Sequence, residues 1–131
     1  MSPSVPQSPQ PQCEVVIRTM AMPSDANANG DIFGGWLISQ MDIGGAILAR
    51  GTSHGRVTTV AVDAMSFLLP VNVGDVVTCY AQLLDIGRTS MKVRVEAWVQ
   101  RYADRTLLHV TEGIFTYVAI NDQGRPQAVS R

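Results

Sequence analysis

The sequence predicts one α+β domain in which a single long helix packs against an antiparallel sheet. Three observations carry that prediction. The hydrophobic period is helical from about Gly34 to Arg50 and strand-like from Gly55 onward. Four Val-, Thr- and aromatic-rich runs then follow one another with no second helical stretch between them. One of these, Met91-Lys-Val-Arg-Val-Glu-Ala-Trp-Val-Gln100, alternates cleanly, with Met91, Val93, Val95, Ala97 and Val99 on one face and Lys92, Arg94, Glu96 and Gln100 on the other. A length of 131 residues suits a single domain.

The elements are taken in chain order. Residues 1–12 (MSPSVPQSPQPQ) are Pro-, Ser- and Gln-rich with few aliphatic side chains, which predicts a disordered tail ahead of a domain over 13–131. Glu14 to Met20 reads as a short first strand. A turn-rich loop, Pro23-Ser-Asp-Ala-Asn-Ala-Asn-Gly-Asp31, leads to the helix, where Leu37, Ile38, Met41, Gly45 and Leu48 recur at three- and four-residue spacings. Asp31 is placed to cap the helix start and Gly51 to stop its end. The strand runs are Val57 to Met65, Val76 to Leu84, Thr89 to Gln100 and Thr106 to Ile120, with hairpin turns at Ile86-Gly87 and Ala103-Asp104. From Asn121 the chain reads as a turn and a loose end.

Charge and composition narrow the function. A net charge of -1 offers no bulk attraction to nucleic acid or to an anionic membrane, so an anionic ligand needs a local site. No apolar run reaches a membrane-spanning length, and the N-terminus lacks the pattern of a secretory signal. Only 16% of residues are charged, low for a small domain, which hints at surface hidden against another subunit. Cys13 and Cys79 have neither metal-ligand nor disulfide spacing; two reduced thiols in a cytoplasmic protein is the simplest account, and no metal site is expected.

The chemistry gathers around the helix. Gly34-Gly35 leads straight into it, where the first turn leaves backbone N–H groups unpartnered and the dipole adds partial positive charge. Those donors suit a carbonyl oxygen gaining negative charge, and glycine lets it come close; the plain alternative is a tight turn. Further along, Gln40-Met-Asp-Ile-Gly-Gly-Ala46 holds two mid-helix glycines, each costing about 1 kcal/mol relative to alanine. They make sense where a backbone packs closely, from a twofold-related helix or from the sheet. Asp42 shares its face with Ile38, Gly45, Ala46 and Ala49, where an ionised carboxylate is costly unless paired; the alternative is an ordinary exposed Asp on the polar side. Asn27-Ala-Asn29 offers side chains able to orient a water or a carbonyl, or simply to hold a turn. Arg88-Thr-Ser90 sets a guanidinium and two hydroxyls at a strand start, suited to phosphate or pantetheine, though a strand-edge Arg is often merely solvated. Neither His54 nor His109 has a nearby Cys or Ser in a convincing nucleophile context.

Together these pieces resemble the hotdog-fold acyl-CoA thioesterases, most closely the bacterial YciA type related to the brain acyl-CoA hydrolases of animals. The likeness rests on Asp25-Ala-Asn-Ala-Asn-Gly-Asp-Ile-Phe-Gly-Gly-Trp36 and Gln40-Met-Asp-Ile-Gly-Gly45. It continues through Val60-Ala-Val-Asp63, Val73-Gly-Asp-Val76, Gly87-Arg-Thr-Ser90, Val95-Glu-Ala-Trp98 and Phe115-Thr-Tyr-Val118, covering Glu14 to about Val129. The resemblance implies a long central helix wrapped by an antiparallel sheet, protomers joined edge to edge, and acyl-CoA at the dimer interface. It implies catalytic roles for Asp42 and for Asn27 of the opposite subunit, and backbone donation to the thioester carbonyl by Gly35. Gly34, Arg88, Thr89 and Ser90 match positions associated with CoA. It also implies a homo-oligomer with the dimer as its minimal unit, plausibly a trimer of dimers. No cofactor is expected, since coenzyme A belongs to substrate and product. Leu69 departs from the pattern: relatives often carry a basic residue before the proline, which puts one phosphate contact in doubt.

Asp42 as general base on water, or as nucleophile forming a mixed anhydride, both satisfy the sequence. Two rivals stand beside hydrolysis. A hotdog dehydratase or hydratase typically pairs His with an acid, and no His lies in the helix-start block. A non-catalytic acyl-CoA-binding protein would lack the helix carboxylate that Asp42 provides.

Overall fold

Twenty residues, Gly34–Ser53, form the helix α1, and five strands wrap around it. The computed structural model describes residues 13–130; the tail expected over 1–12 lies outside the described residues. The strands are β1 (Glu14–Met20), β2 (Val57–Phe67), β3 (Val76–Ile86), β4 (Ser90–Gln100) and β5 (Leu107–Ala119). They form one sheet in the order β1-β3-β4-β5-β2, each neighbouring pair antiparallel. Leu37, Met41 and Ala49 of α1 face Val77, Cys79, Val93, Val95 and Phe115 of the sheet, all almost fully buried. β1 and β2 are the two edges, and β2 exposes Val60, Val62 and Phe67.

The ends of α1 differ from expectation. Phe33, not Asp31, is its first flanking residue, and no side chain caps it. Asp31 lies too early and instead bridges to Asn72. Gly51 does not stop the helix: an exposed glycine is tolerated there while Thr52 Oγ1 bonds the Leu48 carbonyl at 2.9 Å and Ser53 is buried. The stop comes at His54, left-handed at φ 59°, whose N–H reaches the Arg50 carbonyl.

The mid-helix glycines meet side chains of the sheet rather than another backbone. A Cβ on Gly44 would stand 2.7 Å from Val16 Cγ2 of β1, and one on Gly45 would overlap the Tyr117 hydroxyl of β5. β2 runs on to Phe67, because Ser66 and Phe67 pair with Glu112 and Thr111 beyond a bulge that places Ala64 at φ 52°.

The outward face of β4 is less polar in its surroundings than its alternation predicts. Glu96 is only 3% exposed and accepts a 2.9 Å bond from Trp98 Nε1, while the indole stacks on His109 at 4.8 Å. Nor is the C-terminal stretch loose. Gln127 N–H donates to the Ala119 carbonyl, Val129 N–H donates to the Arg88 carbonyl, and Val129 joins the core. The two hairpin turns fall where expected, closed by Gly87 N–H to Ser90 and Arg101 N–H to Thr106.

Cys79 fills the core, and burial pushes its thiol up to about 12. A Cys13→Ser variant is therefore expected to give no reaction with a disulfide reagent at pH 8 until denaturant is added. Rapid labelling of the folded variant contradicts the burial of Cys79. The same measurement sets the protein's own thiol background for the assay below.

Candidate active site

Asp42 is half-buried on α1 and held from below by a cross-strand pair. Thr59 of β2 and Tyr117 of β5 are direct partners in the sheet register, so their side chains rise on one face. Thr59 Oγ1 donates to Asp42 Oδ1 at 2.6 Å. The Tyr117 hydroxyl donates to the Asp42 carbonyl at 2.8 Å and to Oδ1 at 3.1 Å. Burial, then the adjacent Asp42 charge and the bond to it, drive the Tyr117 phenol far above its ordinary value, so it remains a neutral donor. Oδ1 is thus doubly engaged, while Oδ2 accepts no bond among the described residues. Both sequence readings of Asp42 are partly met: the carboxylate is paired, yet it keeps an open side beside the unpaired edge of β2.

The helix start presents bare donors. Phe33 supplies no side-chain cap, and the first intrahelical bond runs from Leu37 N–H to the Phe33 carbonyl, leaving the Gly34, Gly35 and Trp36 N–H groups without a partner among the described residues. Gly35 has open space where a Cβ would stand, and a Cβ on Gly34 would stand 3.6 Å from the Phe67 ring. Asn27 braces its own loop: Oδ1 accepts from Asn29 N–H at 2.9 Å and Asp31 N–H at 3.1 Å. Those two donors fix the amide orientation and leave the Asn27 Nδ2 hydrogens unengaged among the described residues.

The Arg88-Thr89-Ser90 turn is held through its backbone. Its carbonyls accept from Val129, Ala119 and Gly87 respectively, which leaves the exposed Arg88 guanidinium without a partner among the described residues. The turn adjoins Val118 and Ala119, at the Val57 end of β2, whereas Gly34 sits over Phe67 at the other end. One chain therefore does not bring all the candidate residues together. Six helical residues lie between Gly35 and Asp42, about 10 Å along the axis. An apolar groove of about 380 Å3 between β1 and the far half of α1, lined by Val15, Val16 and Ile47, lies at the opposite edge of the sheet from β2. Thr59 and Tyr117 were missed by sequence reasoning. Each reads as an ordinary strand residue, and only the Phe115-Thr-Tyr-Val118 likeness touched one of them.

Among the described residues no group of three or more His, Cys, Asp or Glu side chains could hold a metal ion, and no helix is long and apolar enough to cross a membrane.

Comparisons with known proteins bear on the family and the fold. The profile of the Thioesterase superfamily matches residues 29–102. The acyl-CoA thioester hydrolase YciA of Escherichia coli K12 is 55% identical over 122 residues, 91% of this chain and 92% of the relative. The hexameric thioesterase of Yersinia pestis superposes with a TM-score of 0.89 at 52% identity, covering 93% of this chain and 100% of that one. The hexameric hotdog fold thioesterase of Campylobacter jejuni gives 0.87 at 39% identity, with 92% and 93% covered.

Proposed function

The chain belongs to the Thioesterase superfamily and has its hotdog fold, and from that premise we propose how its own residues cleave a thioester. The protein is an acyl-CoA thioester hydrolase. The observation that supports a catalytic Asp42 is the carboxylate with Oδ1 tied down by Thr59 and Tyr117 and Oδ2 open. Oδ2 takes a proton from a water molecule as that water attacks the thioester carbon. The developing oxyanion sits on the Gly35 N–H at the positive end of α1, with Gly34 beside it. Collapse breaks the C–S bond; the CoA thiolate takes the proton from Asp42 and leaves with the free acid as the other product. Direct attack by the same open Oδ2 on the thioester carbon, expelling the CoA thiolate and giving a mixed anhydride that water then opens, uses the same residues.

The placement of the Arg88 turn and of Gly34 at opposite ends of β2 supports a site shared between chains, with Asn27 and Gly35 from one protomer and Asp42 from the other. Asn27 Nδ2 then orients the carbonyl or the water. The exposed edge of β2, beside Asp42, is the natural seam. Arg88, Thr89 and Ser90 contact the CoA portion, Arg88 as a cation for phosphate. The minimal unit is a dimer and the assembly a trimer of dimers, working in the cytoplasm.

Thiol release from a panel of acyl-CoAs, measured on fractions whose mass is read by light scattering, tests this. Activity is expected only in fractions at even multiples of the 14.2 kDa chain mass. A hydrolysing monomer defeats the shared site, and the absence of thiol release from any chain length defeats the activity.

A further inference from the structure

We infer that Tyr117 is a positioning residue for Asp42, and that position 45 is glycine because the Tyr117 hydroxyl occupies the place of its side chain. The proposal rests on Asp42 acting as the base. A Cβ on Gly45 would overlap that hydroxyl and stand 3.0 Å from Cζ and 3.1 Å from Cε2. The ring has little freedom to retreat: Tyr117 is completely buried and runs parallel to Phe115 at 6.4 Å. Its hydroxyl grips Asp42 twice, at the backbone carbonyl and at Oδ1, so it fixes the side-chain torsion and not only the helix. A helix interior strongly favours alanine over glycine. The glycine therefore makes sense as room for a donor. Without the Tyr117 hydroxyl only Thr59 would hold Oδ1, and it does so from an exposed edge strand, where water competes for it.

Three variants test the inference against Asp42→Ala: Tyr117→Phe, Gly45→Ala and the two combined, each read for kcat, KM, melting temperature and mass. Tyr117→Phe removes one oxygen and is expected to lower kcat about 10–100-fold, the scale of a misplaced catalytic group, with KM little changed. Gly45→Ala displaces the same hydroxyl and is expected to match it. The double variant is expected to be no slower than Tyr117→Phe, since only ring carbons then face the new methyl group. A mere packing role predicts kcat losses that track melting temperature, whereas a positioning role predicts kcat losses in variants whose melting temperature stays near the parent's. Full kcat in either folded single variant, with Asp42→Ala inactive, overturns the positioning role and leaves Asp42 as the base. Full activity in Asp42→Ala removes the premise, and the positioning role falls with it.

Discussion

Asp42→Ala is expected to reduce thiol release about 10²–10⁴-fold, the range set by losing a general base. The variant is expected to fold. Truncation leaves the Tyr117 hydroxyl bonded to the carbonyl of residue 42, and Thr59 is exposed enough for water to replace the lost carboxylate. Alanine also favours the helix more than aspartate does. The loss should therefore appear in kcat, with melting temperature, mass and CoA binding close to the parent's. Near-normal turnover in a folded Asp42→Ala protein removes Asp42 from the mechanism.

Mixing two dead variants is expected to restore activity. If Asn27 and Gly35 of one chain face Asp42 of its partner, a heterodimer of Asn27→Ala with Asp42→Ala has one site with both defects and one with neither. Each such heterodimer then works at up to about half the wild-type rate, the twofold axis making the two sites equivalent before mutation. A site built within one chain gives the opposite result, because every site then carries one defect. Wild type paired with the double variant is the control: a shared site leaves neither half intact. Doubly tagged heterodimers as inactive as their parents rule out the cross-subunit assignment. The structural motive is that the Arg88 turn lies at the Val57 end of β2 while Gly34 sits over Phe67 at the other end, so one chain does not gather all the candidate residues.

The elements were legible because the signals that make them are local. The β1 bounds, the Gly34 start of α1 and both hairpin turns follow from side-chain period and turn residues within a few positions. The glycine pair and Asp42 stood out for the same reason: glycines where a helix resists them, and a charge on an apolar face. Helix and strand ends were less legible, since His54 in the left-handed conformation and the bulge at Ala64 depend on what the chain meets there.

Tertiary structure decided the rest. The sheet order β1-β3-β4-β5-β2 and the Thr59–Tyr117 register place two strand residues, 17 and 75 positions from Asp42, under its carboxylate. The closeness of the Tyr117 phenol to Gly45, the stacking of Trp98 on His109, and the anchoring of Val129 on Arg88 are likewise contacts between separate segments. A single sequence specifies which side chains each element shows to its face, because backbone geometry repeats every 2 or 3.6 residues. It does not display which faces meet, because that is settled by the simultaneous packing and hydrogen bonding of all the elements at once.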